Sequence, residues 1–192
     1  SPLRPNASSA SVIHLQTPIL NEAELQQLIK QGINSITLST LLTISDGPLE
    51  LEEQVQSLCL KAERAVRDGN EILILSDRGV NASNTYIPPL LAIGAVHHHL
   101  LKKGLRLDTS LVVDTAQCWS THHVACLIGY GASAICPWLT WETTRHWWQN
   151  PRTQKLFETG KLPKLSIDTA QANLRKALED GLRKILSKMG IS

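Results

Sequence analysis

Short apolar runs and longer amphipathic stretches alternate along this 192-residue chain. Apolar runs occur at residues 72–75, 111–113 and 134–136, and segments long enough to form helices separate them. Runs that are apolar on both faces are typical of strands in a parallel sheet that helices cover on both sides. The pattern therefore predicts successive strand–helix units over residues 71–138.

The first third of the chain predicts strands flanked by two helices. Residues 1–11 are rich in Ser, Pro and Asn, and we expect a flexible lead-in there. Asn21, with Glu24 three residues later, predicts a capped helix start. The expected elements are strands at 12–16 and 33–42, a helix from Asn21 to about Gln31, and a helix from 46–48 to Gly69.

The remaining two thirds continue the alternation. Pro88 and Pro89 begin a predicted helix that Gly104 ends, and Ser120 and Ser166 are expected N-caps. The expected strands are at 72–75, 110–114 and 134–138, with a loop through Asn81 and Asn84 after the first of them and a helix ending at 129–131 before the last. A short Trp-bearing helix capped by Thr140 and ended by Asn150-Pro151 follows. After a loop with Gly160 and Pro163, a last helix runs to about Lys188 with an apolar stripe ending at Met189.

About five strands alternating with helices define the fold class as α/β with a mainly parallel sheet. A closed eight-stranded barrel needs roughly 200 or more residues. We therefore expect an incomplete TIM-barrel-like sheet or an open one, in a single α/β domain over residues 12–192. The last residues, 189–192, form no tail, which we interpret as a cut inside a longer polypeptide.

Composition restricts the class of function. A formal net charge of +2 gives no electrostatic footprint for nucleic acid or an anionic membrane. The longest apolar run, residues 87–96, is too short to span a bilayer, and the first ten residues lack the apolar core of a signal peptide. We expect a soluble cytoplasmic protein whose four cysteines are buried free thiols.

Polar groups follow the apolar runs at the predicted carboxyl ends of the strands, where parallel α/β folds collect ligand chemistry. Asp77 and Arg78 follow one strand, and Asp114 ends the next. Two interpretations remain open. These side chains bind a phosphate or polarise a carbonyl, or Asp77 and Arg78 pair with each other or with helix ends. Gly129 and Gly131 end a helix, so they do not form a phosphate loop.

Three consecutive histidines, His97-His98-His99, do not predict a metal site. On a helix, neighbouring side chains point about 100° apart and cannot converge on one ion. We expect one histidine to pack against the sheet and the other two to lie near solvent or a partner.

Cys118, His122 and Cys126 follow one another at intervals of four residues. On one helix face they would form a metal-ligand set. Cys118 with His122 or His123 would instead form a nucleophilic pair at a helix N-terminus. Because Ser120 is the expected cap, Cys118 belongs to the preceding loop, and packing is the favoured interpretation.

Five tryptophans cluster late in the chain, and either an interface or packing of a short helix onto the sheet explains them. They are Trp119, Trp138, Trp141, Trp147 and Trp148.

The ordered segments of the chain resemble the central domain of glutamate synthase over nearly all residues from about 12 onward. Those segments are 17–21, 75–79, 87–92, 94–100, 104–106, 110–113, His122-His123-x-Ala125, 127–132 and 187–192. The Cys136-Pro137-Trp138 sequence and the Trp-rich stretch after it are more similar to the ferredoxin-dependent branch of cyanobacteria and plastids.

The resemblance implies a function in a relay enzyme. An N-terminal amidotransferase releases ammonia from glutamine, and an internal tunnel delivers it to an FMN barrel that makes glutamate from 2-oxoglutarate. A 3Fe-4S cluster carries the electrons, which ferredoxin supplies in that branch. The central domain resembles a decayed copy of the FMN barrel. No catalytic, cofactor-binding or metal-binding residue of the family carries over to a position in this chain.

Three functions follow as expectations. The first is a non-catalytic linking domain of glutamate synthase, which holds the glutaminase and FMN sites in register and flanks the ammonia tunnel. It would contact the amidotransferase and FMN-binding domains, in the cytoplasm or the plastid stroma. The second is a stand-alone α/β enzyme or ligand binder with Asp77, Arg78, Asp114 and His122 at the strand ends. A metal-binding module is a third possibility. The second predicts a pocket into which His122 points.

Overall fold

The computed structural model describes residues 15–43 and 48–190. Seven α-helices, one short 3-10 helix at Arg106–Asp108 and six strands lie in these ranges. The helices are α1 Glu22–Lys30, α2 Pro48–Arg67, α3 Pro89–Lys102, α4 Thr121–Gly129, α5 Trp138–Gln149, α6 Pro151–Glu158 and α7 Ile167–Lys188. The strands are β1 Ser35–Ser39, β2 Leu41–Thr43, β3 Ile72–Ser76, β4 Asn84–Tyr86, β5 Ser110–Asp114 and β6 Ala134–Cys136.

The main sheet has four parallel strands in the order β1-β3-β5-β6. Each new strand is added on the same side of the previous one, which is the winding of a barrel rather than of a doubly wound sheet. The sheet is not closed. These features confirm the predicted α/β class with an incomplete, mainly parallel sheet.

An extended segment around Ile19 borders β6 in a parallel bridge to Ile135. The amide of Leu20 donates to the carbonyl of Ile135 over 2.8 Å, and the amide of Ile135 donates to the carbonyl of Pro18 over 2.7 Å. The chain thereby covers one edge of the sheet with three residues before α1 begins.

The core forms because β3 and β5 are buried at all five of their positions. Continuous apolar strands need cover on both faces. α2, α3 and α4 pack in order along the sheet, and α7 packs against α4 and α5. The two-stranded antiparallel pair of β2 and β4 stands apart from the main sheet.

Three of the predicted helix caps, Asn21, Ser120 and Ser166, are present. The side chain of Asn21 accepts from the Glu24 amide, and the Glu24 carboxylate accepts from the Asn21 amide, forming a reciprocal capping box. Ser120 and Ser166 accept from the amides of residues three positions later. These hydrogen bonds satisfy amides that a helix start otherwise leaves without partners.

Several predicted elements differ in the structure. The expected strand at 33–42 is two strands, β1 and β2, and the expected loop through Asn84 contains β4. β2 and β4 pair with each other across 41 residues of sequence or more, so no local pattern marks them. The last strand ends at Cys136 rather than Trp138.

Corrections also apply near the two ends of the described chain. Residues 15–16 are not strand, and the segment pairs with the sheet at Ile19 instead. The lead-in at 1–11 and residues 12–14 of the expected strand lie outside the described residues. α5 begins at Trp138, so Thr140 lies inside it. Asn150 caps the unexpected helix α6, whose first residue is Pro151. Met189 is exposed rather than part of the apolar stripe.

Candidate functional site

The carboxyl ends of all four parallel strands meet in one row of polar side chains. Pairing places Ser39 beside Ser76, Ser76 beside Asp114, and Asp114 beside Cys136. A barrel enzyme would build its site here. The row is therefore the place to ask whether the side chains point to a ligand or to one another.

Arg78 and Asp114 form the centre of the row. The guanidinium donates from Nε to one carboxylate oxygen over 2.7 Å and from Nη2 to the other over 3.1 Å. The Ser76 hydroxyl donates to the same carboxylate over 2.7 Å. Burial disfavours the charged guanidinium, but the hydrogen bonds and charge of Asp114 outweigh it and raise the pKa of Arg78. This paired geometry is the strong form of an Arg–carboxylate contact.

A second charged pair extends the row toward α1. Arg78 Nη1 lies 3.5 Å from Glu22, and Arg145 on α5 donates to Glu22 over 2.7 Å. The four side chains Asp114, Arg78, Glu22 and Arg145 thus alternate in sign, and their formal charges cancel. A site that captures an anion would leave positive charge available, which this row does not.

Asp77 points away from the row and serves as a buried anchor. It is 2% exposed. Its carboxylate accepts from the Thr115 hydroxyl over 2.7 Å, from the Ala116 amide over 3.0 Å, and from the indole nitrogen of Trp138 over 2.8 Å. Asp77 therefore ties the end of β3 to the loop after β5 and to the start of α5.

The contacts of Asp77 and Arg78 match part of the pairing interpretation of the strand ends. Asp77 and Arg78 do not pair with each other. Arg78 pairs instead with Asp114 and with Glu22 at the start of α1, which is the helix-end pairing considered for it. Arg78 also lies over the ring of Trp138, 5.4 Å from the centroid.

A groove of about 250 Å³ lies between α1 and the sheet at this end. Asp114, Arg78 and Ser76 line its polar part, and Leu25 and Ile29 line its apolar part. His122 does not line it; that residue is exposed on α4. The structure brings three predicted site residues, Asp77, Arg78 and Asp114, to one strand end and leaves the fourth elsewhere.

The spaced cysteines and histidine do not converge as a set of three. His122 Nε2 lies 3.5 Å from Cys126 Sγ, whereas Cys118 is buried before α4, and its carbonyl accepts from Thr140. Burial raises the pKa of Cys118 to about 12, which disfavours the thiolate that a nucleophile needs. His123 Nδ1 accepts from the Trp119 amide.

A metal ion or cluster needs several ligand side chains that converge on one point. Across residues 15–43 and 48–190, no three His, Cys, Asp or Glu side chains are placed to hold a metal ion. The cysteines in these ranges are free, and three of the four are buried. Burial also raises the pKa of Cys59 and Cys136. The described residues therefore do not fit an iron–sulfur cluster.

The three consecutive histidines have different partners, although the rings of His97 and His98 meet edge-on with centroids 5.4 Å apart. His97 Nδ1 accepts from Arg106 over 2.9 Å, His99 pairs with Glu63 over 2.7 Å, and His98 is exposed. The expectation of one histidine against the sheet is wrong in detail, because His97 packs on the Gly131 turn instead.

The tryptophans divide between packing and exposure. Trp141 is fully buried and donates to the Leu20 carbonyl, and Trp148 donates to the Leu165 carbonyl. Trp119 and Trp147 are 52% and 44% exposed. Trp147 packs edge-on against Phe157. Three indoles including Trp138 thus hold α5 in place, and two leave surface for contacts.

Sequence reasoning missed two parts of this end of the sheet. Glu22 and Arg145 lie on different helices and meet only in the fold. Trp138 reaches Asp77 from 61 positions away. The available signal was the placement of Glu22 in the first turn of α1 and of Trp138 two residues after β6.

The fold and its strand ends define the class: a parallel α/β domain of barrel type whose strand-end polar groups bind one another. The family profile of the glutamate synthase central domain matches residues 1–192. The chain belongs to that family.

Curated relatives are similar over nearly the whole chain. "Ferredoxin-dependent glutamate synthase" of Pyropia yezoensis is 55% identical over 95% of this chain and 12% of its own length. "Ferredoxin-dependent glutamate synthase 2" of Synechocystis sp. is 52% identical over 99% and 12%. The chloroplastic enzyme of Spinacia oleracea is 50% identical over 96% and 12%. The chain thus spans about 12% of the length of the curated relatives it matches.

None of the helices described within residues 15–43 and 48–190 has the length and apolar character to cross a bilayer.

Proposed function

We propose that this chain is a non-catalytic linking domain of a ferredoxin-dependent glutamate synthase. In that role it holds the glutaminase and FMN sites of the parent chain in register and flanks the path of ammonia between them. Its partners are the amidotransferase and FMN-binding domains, and ferredoxin is the donor of the parent. Relatives named for this activity match the chain over almost all of its residues.

One observation carries the proposal: the place where a barrel enzyme binds its substrate is filled by internal pairs. Asp114 binds Arg78 and Ser76, and Asp77 binds three donors of the chain. A catalytic carboxylate needs a free lone pair or an exchangeable proton within reach of substrate. A carboxylate that accepts two or more strong hydrogen bonds inside the fold instead positions the elements that donate them.

The strand ends also do not fit a flavin phosphate. Phosphate sites of this fold use backbone amides at a helix start together with a free cation. Here both cations of the row are already paired: Arg78 binds Asp114 through two nitrogens, and Arg145 binds Glu22. We therefore derive no catalytic step through FMN in this chain, and place that chemistry in the FMN-binding domain of the parent.

The groove under α1 supports one alternative, a small ligand binder that uses Arg78 and Asp114. The side chain of Arg78 is 41% exposed and lines the groove. Such a binder would have to break the Arg78–Asp114 pair or add a ligand beside it. His122 would take no part.

Flavin and activity measurements on the purified chain test the proposal. The chain is incubated with excess FMN and desalted, and its absorbance is scanned between about 300 and 550 nm. A specific site would retain on the order of one FMN per protein chain. We expect no retained flavin spectrum, and no glutaminase or glutamate synthase turnover. The contrary result is flavin that the wild type and the exposed control Lys61→Ala retain and that Arg78→Gln loses. That result would support the ligand binder and overturn the linking function.

A further inference from the structure

β1 is an edge of the four-stranded sheet, and within residues 15–43 and 48–190 it carries none of the devices that usually protect an edge. Its sequence is Ser-Ile-Thr-Leu-Ser, without charge, proline or bulge. Natural sheets block exposed edges with lysine, proline, bulges or a covering element. The opposite edge, at β6, has such a cover in the segment around Ile19.

Backbone pairing shows which groups of β1 face outward. The carbonyl of Asn34 accepts a hydrogen bond from the amide of Ile72, and the amide of Thr40 donates to the carbonyl of Ser76. In a parallel pair, every second residue bonds to the neighbouring strand. Residues 34, 36, 38 and 40 therefore bond to β3, and Ser35, Thr37 and Ser39 direct their amides and carbonyls away from it.

The side chains along this edge are accessible. Thr37 and Ser39 are exposed and line the groove side of the sheet. On the opposite face Ile36 is 37% exposed, although its neighbour Leu38 is buried. An apolar β-branched side chain thus remains partly uncovered directly at the edge.

The sequence of β1 reads almost the same in both directions about Thr37. In an antiparallel pair with a two-fold axis at Thr37, Ser35 faces Ser39 of the other copy and Ile36 faces Leu38. The outward groups at 35, 37 and 39 then complete the ladder on both strands. Thr–Thr and aliphatic cross-strand pairs are favourable, and the strand brings no charge to repel its own copy.

We propose that β1 is a self-association edge, which joins two copies of this chain through an antiparallel β1–β1 pair. The partner is a second copy because the edge is complementary to itself. This joins two four-stranded sheets into one of eight strands. The inference stands on the geometry of β1 and does not depend on the proposed linking function.

Sedimentation of the 192-residue chain over a range of concentrations tests the pair. A five-residue edge is a small interface, so we expect a dissociation constant on the order of 100 µM. Thr37→Pro removes one outward amide and no bond to β3, a position where edge strands tolerate proline. It should weaken the dimer at least tenfold by this loss of central ladder bonds. Thr37→Val keeps the backbone amide and should leave the dimer within about twofold of wild type.

Hydrogen exchange of the wild type gives a readout that needs no variant. Between dilute and concentrated solution, the amide of Thr37 should become protected, while the amide of Ile36, bonded to β3, should stay protected in both. A chain that sediments as a monomer at every concentration overturns the inference. A dimer in which Thr37 exchange does not change, or one that Thr37→Pro leaves intact, assigns the contact to another surface and overturns it equally.

Discussion

Two arginines hold opposite ends of the same sheet, with different chemistry. At the carboxyl ends of the strands, Arg78 is paired with the carboxylate of Asp114. At the amino ends, Arg106 donates to three uncharged acceptors: His97 Nδ1, the Thr109 carbonyl and the Gly131 carbonyl. Both side chains fix loops between elements distant in sequence, but only one of them is neutralised.

The pKa directions show the same contrast. The pKa of Arg78 is raised, because its contacts with Asp114 outweigh burial. The pKa of Arg106 is lowered by burial. The pKa of His97 is lowered by burial and by the neighbouring charges of Arg106 and His98. The amino end therefore depends on His97 remaining neutral, whereas the carboxyl end contains its own counter-charge.

The largest expected effect is at the carboxyl end. Asp77→Ala leaves the Ala116 amide, the Thr115 hydroxyl and the Trp138 indole without their buried acceptor. We expect the free energy of unfolding to fall by about 3–5 kcal/mol, since each unsatisfied buried donor costs on the order of 1–3 kcal/mol. Urea denaturation measures it. Asp68→Ala, at an exposed aspartate, should change stability by less than about 0.5 kcal/mol.

A smaller effect is expected from the Gly131 turn at the amino end. Gly131 has φ +119°, and a Cβ there would lie 2.7 Å from His97 Nδ1. Gly131→Ala should lower stability by about 2–4 kcal/mol through strain and displacement of His97. Gly104→Ala is the matched control, with φ +70° and nothing within 4 Å of the added carbon. Its cost should be near 1 kcal/mol. Equal losses in the two variants would contradict the role given to the His97 contact.

Acidification should separate the two ends further. Because the folded pKa of His97 lies below its usual value, the unfolded chain binds the proton first as pH falls. The stability from neutral His97 is complete above about pH 6.5 and declines below it, down through the lower folded pKa. His97→Gln keeps an acceptor for Arg106 and should flatten that decline in thermal melts. His98→Gln, at the exposed neighbour, should not; identical slopes for wild type and His97→Gln would argue against this mechanism.

The smallest expected effect is the alkylation of a cysteine whose modification leaves the fold unchanged. Cys126 is partly exposed beside His122, whereas Cys59, Cys118 and Cys136 are buried and their pKa values are raised. Alkylation of the native chain should therefore modify Cys126 first, as peptide mass spectrometry will show, with the fold unchanged. First modification at Cys118 would show that the loop before α4 opens more readily than its contacts indicate.

Local patterns predicted the parts of the molecule that local physics determines. β3 and β5 are apolar at consecutive positions because both faces are buried, and Asn21 with Glu24 forms a cap within four residues. The β2–β4 pair was missed because its stability comes from a distant partner. α6 was missed because Asn150-Pro151 ends one helix and also begins the next.

The candidate site was predicted in position but not in role. Strand ends marked Asp77, Arg78 and Asp114 as neighbours, and in the structure the Asp77 amide donates to the Asp114 carbonyl while Arg78 donates to the Asp114 carboxylate. Their partners Trp138, Glu22 and Arg145 arrive from other helices. These contacts, together with the Arg78–Asp114 pair, turn possible ligand groups into structural pairs, and the sequence alone left the two interpretations equal.

Turnover of the full-length parent synthase carrying Arg78→Gln with Asp114→Asn is the most direct test of the structural role of the strand ends. The double variant keeps hydrogen-bonding groups and removes both charges. We expect the glutaminase half-reaction and ammonia-dependent glutamate formation to stay within about threefold of wild type, with any loss confined to the coupling between them. A hundredfold loss in either half-reaction, about 2.7 kcal/mol of transition-state stabilisation, in a variant with a wild-type melting temperature would contradict the account.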